Sequence, residues 1–145
     1  MAARLAESDA RDLYLNLVRA HEKLSAEFAE LFREHGLTQP QFNVLRILVD
    51  GPPDGVPCNG IGERLLNRLP DTSRLIDRVE SAGLVKRVRS DEDRRVVLVR
   101  ITAKGRKLCE SLYAPVTALH LSQVEHLPEK TVRSLNRGLE RLSSE

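Results

Sequence analysis

Two short runs rich in β-branched and basic residues, VKRVR (Val85–Arg89) and VVLVRI (Val96–Ile101), are the strand-like stretches in a chain otherwise patterned for helix. The polar segment SDEDRR (Ser90–Arg95) lies between them and suits a turn, so the pair reads as a β-hairpin. A two-stranded hairpin has too little apolar face to be stable alone in water, so it must pack on the helices around it. The expected fold is mainly α with one small β-hairpin.

The helices follow from apolar spacing. Ser8 or Asp9 opens a long first helix in which Leu13, Leu17, Leu24, Phe28, Leu31 and His35 recur at helical intervals, and Gly36 suits its stop. Thr38-Gln-Pro-Gln41 reads as a capping box with Pro40 in the first turn. It starts a second helix whose inner stripe is Phe42, Leu45, Leu48 and Val49. DGPPDGVP (Asp50–Pro57) reads as a loop. Asn59 is the expected cap of a third helix carrying Ile61, Leu65 and Leu69. Pro70 begins a fourth, which runs to about Gly83.

After the hairpin, Thr102 caps a fifth helix with Leu108, Leu112, Val116 and Leu119 on one face; Pro115 is expected to kink it near Ala114. Pro128 opens a sixth, where Val132, Leu135, Leu139 and Leu142 form the narrow stripe that suits helix-to-helix contact. The order is four helices, a hairpin and two helices. It forms a single unit over residues 1–145, with a lobe at about 37–101 between terminal helical segments at about 5–35 and 103–145.

Composition narrows the function classes. No apolar run approaches the roughly 20 residues that cross a membrane, and the N-terminal stretch lacks the apolar region of a secretory signal. With two cysteines, Cys58 and Cys109, there is no disulfide framework, and a reducing cytoplasm is the expected compartment. The net charge is only +2, but Arg64–Arg106 holds twelve Lys/Arg against six Asp/Glu, leaving −4 for the rest of the chain. Such asymmetry suits one surface that meets a polyanion. It equally suits an ordinary solvated face, so position must decide.

Two short helices followed by a basic hairpin describe a winged helix-turn-helix. On the fourth helix Thr72, Leu75, Ile76, Val79 and Ala82 share one arc and are expected to pack inward. Ser73, Arg74, Asp77 and Ser81 point the other way, with Arg78 on the flank. The first turns of such a helix enter the major groove, so Ser73 and Arg74 are the leading base-contact candidates, since arginine can bond N7 and O6 of guanine together. The competing reading pairs Arg74 with Asp77 three residues on. Arg94 and Arg95 at the hairpin tip suit a narrow minor groove, with a neighbouring carboxylate to orient them. Lys86 and Arg89 lie on the strands as phosphate contacts. The candidate DNA-binding set is Thr72, Ser73, Arg74, Arg78, Arg89, Asp93, Arg94 and Arg95.

Residues Leu65–Gly105, and within them RLIDRVESAGLVKR, the Asp93–Arg95 triplet DRR and ITAKG, resemble the DNA-binding core of the MarR family (multiple antibiotic resistance regulators). The resemblance implies a homodimer built from the terminal helices, with a winged lobe on each flank. It implies Asp93 as the residue that orders the wing loop and Arg95 as the minor-groove residue. The function expected is a transcription regulator, most often a repressor, that binds double-stranded DNA at a pseudo-palindromic operator. Its control is an effector, a small molecule or an oxidant, that shifts the spacing of the reading heads. The rival reading is a winged-helix protein-interaction module without DNA binding.

Other sites are weaker. Arg106 and Lys107 near Cys109 would lower its pKa and suit an oxidant sensor; the plainer reading is a buried small hydrophobe. His21, His35, His120 and His126 lack zinc spacing, and neither a metal nor a cofactor is expected. Tyr14, Phe28, Phe42 and Tyr113 line an effector cleft on one reading and plain core on the other. No nucleophile elbow, phosphate loop or HExxH occurs, so no enzyme is expected.

Overall fold

A computed structural model describes residues 5–65 and 71–144. Its helices are α1 (Glu7–Glu34), α2 (Gln39–Asp50), α3 (Cys58–Arg64), α4 (Thr72–Ser81), α5 (Ala103–Ser111), α6 (Tyr113–Val124) and α7 (Glu129–Ser144). The strands are β1 (Val56–Pro57), β2 (Val85–Arg89) and β3 (Val97–Ile101), in an antiparallel sheet of order β1-β3-β2. Six helices result if α5 and α6 count as one. The chain divides into two compact units, Phe28–Tyr113 and the remainder on either side of it.

The Phe28–Tyr113 unit holds the core. Thr38 caps α2 as a full capping box: its hydroxyl accepts from Gln41 N at 3.3 Å and the Gln41 amide oxygen accepts from Thr38 N at 3.0 Å. Such a cap contributes about 1 kcal/mol. Phe42, Leu45 and Leu48 are buried as the spacing requires; Val44 joins them, while Val49 is half-buried. Phe32, at 1% exposure, stacks on Phe42 with ring centroids 4.6 Å apart, and Phe28 stacks on Phe32.

The loop reading of Asp50–Pro57 fails at both ends: Asp50 closes α2, and the last two residues form a strand. Val56 pairs with Val99 and Pro57 with Leu98, adding β1 to the sheet. Burial of the Val56 side chain favours this, and an edge strand tolerates the missing N–H of Pro57. The chain therefore enters α3 directly from a strand, so Pro57 is the N-cap. Asn59 is not the cap; it sits one residue inside, its side chain accepting from Gly60 N at 3.0 Å. Ile61 and Leu65 are buried, whereas Leu69 and Pro70 lie outside the described residues.

Asp71 caps α4, its carboxylate accepting from Arg74 N at 3.0 Å. Leu75, Ile76 and Val79 are buried, and the helix packs on α2, α3 and β2. Ala82 departs from the expected inward arc. As the C-cap it is exposed, because the helix closes there with Gly83 at φ 75°. Gly83 N bonds Glu80 O and Leu84 N bonds Val79 O, the Schellman closure that only a left-handed residue completes without strain.

The hairpin runs in register from Val85 opposite Ile101 to Arg89 opposite Val97. Val96 was expected to begin the second strand but belongs to the turn, its N–H bonded to Asp93 O at 2.9 Å. Thr102 caps α5 as expected, accepting from Gly105 N at 3.1 Å and donating to Gly83 O at 2.7 Å. A Cβ at Gly105 would stand 2.1 Å from Leu84 O, so this contact between backbones admits glycine alone.

The fifth helix does not kink at Ala114; it breaks at Leu112. Pro115 has no N–H to donate, and its ring clashes with the carbonyl four residues back, which belongs to Ser111, the end of α5. The discontinuity thus falls one turn earlier than the proline itself.

In the other unit, α1 up to Glu27, α6 from Ala114 and α7 contribute no buried residue among those described. Gln123 joins α6 to α1 by donating to Leu24 O at 3.2 Å and to Glu27 Oε2 at 2.9 Å. Leu13 and Leu17 on α1 and Leu135, Leu139 and Leu142 on α7 line shallow apolar grooves open to solvent.

Candidate nucleic-acid interface

The outward face of α4 is set by the inward one. With Leu75, Ile76 and Val79 packed down, Ser73, Arg74, Asp77, Arg78 and Ser81 are exposed. The Arg74 side chain remains 81% exposed, and its Nε lies 3.0 Å from Asp71 Oδ2. The suggested Arg74–Asp77 pair does not form. Asp71 reaches Arg74 from the capping position, and Asp77 is taken by Arg87 at 2.7 Å. Thr72 turns toward α3, half-buried, so close that a Cβ at Gly62 would stand 3.0 Å from its hydroxyl.

The wing tip is held by local hydrogen bonds. Ser90 Oγ accepts from Glu92 N and Asp93 N at 3.3 and 3.4 Å, and Ser90 N bonds Val96 O. Arg89 Nη1 donates to Arg94 O at 2.7 Å. Asp93 accepts from the Arg95 backbone N–H at 3.0 Å and from Arg95 Nε and Nη2 at 3.1 and 3.2 Å. The side-chain bonds from Arg95, then its backbone N–H, hold the Asp93 carboxyl below its ordinary range. Arg95 itself stays 91% exposed, a fixed cation facing solvent, and Arg94 beside it is also exposed.

The structure therefore brings Asp93, Arg94, Arg95 and Arg89 together on one hairpin, and Ser73, Arg74 and Arg78 on one helix. It also places a residue the sequence reading passed over. Arg87, 23% exposed on β2, binds Asp77 at 2.7 Å, Glu80 Oε1 at 2.8 Å and the Ser73 carbonyl at 3.3 Å. Its backbone N–H bonds Glu80 Oε2 at 2.8 Å. Burial works against its charge, yet the bonds from Asp77 and Glu80 outweigh that and raise its pKa. The signal was available, since strand alternation puts Arg87 on the same face as buried Val85, where a cation must find acceptors.

The thiol expectations resolve by burial. Cys109 is fully buried, and burial pushes its pKa up, against the lowering expected from Arg106 and Lys107. Arg106 pairs instead with Glu110 at 3.6 Å. Cys109 Sγ lies 3.8 Å from the Tyr113 hydroxyl, and burial, ahead of this bond, pushes Tyr113 up to about 12. Phe28 and Phe42 are buried in the aromatic core, whereas Tyr14 and Tyr113 are exposed. Among the described residues no His/Cys/Asp/Glu group could hold a metal, and no helix is long and apolar enough to cross a membrane.

Residues 35–96 match the MarR family. A MarR transcription factor from Planctomyces limnophilus is 36% identical, covering 95% of this chain and 98% of that one with a TM-score of 0.70. The HTH-type transcriptional regulator YfiV of Bacillus subtilis is 34% identical over 75% of this chain, which spans 58% of that regulator's length. Staphylococcus aureus MepR, solved with DNA, shares the fold at a TM-score of 0.78 and 23% identity, covering 97% of each chain. With an exposed polar face on α4, an ordered basic wing and these relatives, the chain belongs to the MarR family of winged-helix transcription regulators.

Proposed function

We propose that this regulator binds a pseudo-palindromic operator as a homodimer, with α4 in the major groove and Arg95 in the minor groove, and that it represses the gene it adjoins. The observation that carries the reading is the pair of exposed arginines held by carboxylates, Arg74 by Asp71 and Arg95 by Asp93. A cation fixed in place before binding loses less conformational freedom when DNA arrives. MepR, a relative in fold, forms a DNA complex.

On this reading, residues at about 37–101 make up the DNA-binding lobe, and those at about 5–35 and 103–145 the dimerisation region. Helices α1 before Phe28, α6 and α7 bury nothing by themselves, while Leu135 and Leu142 stand 52% and 59% exposed. A second copy is the natural cover, because exposed apolar patches of this kind mark interfaces. The protein works in the cytoplasm, and a small-molecule or oxidant effector releases it from DNA by favouring one of two head spacings.

Selection from a randomised duplex pool, followed by titration across salt concentrations, tests this. Enrichment of an inverted repeat with a steep salt dependence is the expected result. No enrichment together with weak, salt-insensitive binding overturns it in favour of a protein-interaction module.

A further inference from the structure

Arg87 is the hub of the winged lobe. From β2 its guanidinium reaches Asp77 and Glu80 on α4, one helical turn apart, and the Ser73 carbonyl in the first turn of the same helix. Its own N–H fixes the second Glu80 oxygen. A planar fork of this kind can hold two carboxylates in fixed directions, which a lysine ammonium cannot.

These contacts have a consequence for reading DNA. Asp77 lies on the same outward face as Arg74, 60% exposed, where a free carboxylate would repel phosphates. The bond to Arg87 neutralises it. The same three acceptors span α4 from Ser73 to Glu80, so they resist both rotation about the helix axis and sliding along β2. Base contacts need placement within a fraction of an ångström, whereas phosphate contacts tolerate more.

We propose that Arg87 is a positioning residue for sequence discrimination: by bridging Asp77, Glu80 and the Ser73 carbonyl it sets the orientation of α4 against the wing, without itself touching DNA. The proposal rests on the DNA-binding reading above. A brace and a phosphate clamp leave different signatures. A clamp lost weakens all DNA equally and lowers the salt slope by about one unit, because one counterion fewer is released. A brace lost weakens the cognate duplex selectively and leaves the slope alone.

The test uses full-length protein, a duplex that the wild type selects from a randomised pool, and a scrambled version of it, each titrated at low and physiological salt. For Arg87→Ala the cognate-to-scrambled affinity ratio is expected to fall by at least about tenfold, the scale of one good base contact. Scrambled binding falls by a much smaller factor, from the freed Asp77 carboxylate, and the salt slope stays unchanged. Arg87→Lys restores part of the ratio, as one point charge replaces one of two bridges. Glu80→Gln, which keeps the shape and removes one charge, lowers the ratio by a smaller factor and serves even if Arg87→Ala unfolds. An unchanged ratio in all three variants overturns the proposal, as does equal loss on both duplexes with a lowered slope. A wild type that selects no sequence overturns the underlying DNA reading, a separate outcome.

Discussion

Asp93 grips Arg95 through both carboxylate oxygens and through the Arg95 backbone N–H, so an acidic residue positions an exposed arginine of the wing. Replacing Asp93 with Ala therefore weakens operator binding by a few-fold, the usual scale for an exposed pair. Simple charge counting gives the opposite sign, since the change makes the wing more positive. Tighter binding by the variant in a fluorescence titration would show that the loop needs no such tie.

The same contact gives a pH prediction. A carboxyl lowered by its partners in the folded state contributes order above its ordinary range and loses it as pH falls through the lowered value. Wing order is thus constant from about pH 5 upward and fades only below the ordinary Asp value near 3.9. Carboxyl carbon NMR should place the Asp93 midpoint below that value in the wild type and closer to it in Arg95→Ala, which keeps the bond from the backbone N–H. Identical midpoints in the two proteins refute the tie.

Arg74 and Arg89 separate reading from gripping. Arg74→Ala loses roughly 1–3 kcal/mol on the selected duplex and much less on a scrambled one. Arg89→Ala weakens both by similar factors and lowers the salt slope by about one unit, with some added loss because Arg89 also anchors Arg94 O. Equal losses on both duplexes for Arg74→Ala would make it a phosphate contact instead.

Assembly can be probed at Gly138 on α7, where an added Cβ meets nothing within 4 Å. In a solitary helix, Gly138→Ala would be stabilising by up to about 1 kcal/mol. Gly138 lines the same groove as Leu13, Leu135 and Leu142, so on the homodimer reading a bulky side chain there would stand in the way of a second copy seated in the groove. Sedimentation should give a dimer of twice 16.3 kDa for the wild type and a shift toward monomer for Gly138→Leu. A wild type that sediments as a monomer at micromolar concentration would sink the homodimer.

The two thiols should differ sharply toward an aromatic disulfide reagent at neutral pH. Cys58 is half-buried and reacts, whereas buried Cys109, its pKa raised by burial, stays silent until the protein unfolds. Two fast equivalents in the native state would contradict the burial of Cys109.

Local chemistry made much of this legible. The Thr38 box and the Leu75, Ile76 and Val79 stripe depend on residues three or four apart, and the hairpin on alternation within each strand. What the sequence reading missed depended on distance along the chain. Val56–Pro57 is a strand only because β3, about forty residues later, offers a free edge. Arg74 was weighed against Asp77, its near neighbour, but Asp77 is claimed by Arg87 from the next strand. The wing arginines were legible as charges; that Asp93 and the Arg94 carbonyl fix them follows from a turn whose backbone geometry the letters SDEDRR do not specify.

The strand order β1-β3-β2 bears on how the protein behaves when concentrated. A sheet edge is a template for ladder growth between molecules, and natural edges are shortened or charged against it. Here one edge is two residues long and ends in Pro57, and the other carries Lys86, Arg87 and Arg89. Neither can nucleate fibrils readily. Precipitation of overexpressed or damaged protein will therefore be amorphous, begin at the leucine-rich grooves of α1 and α7, and respond to mild detergent more than to salt.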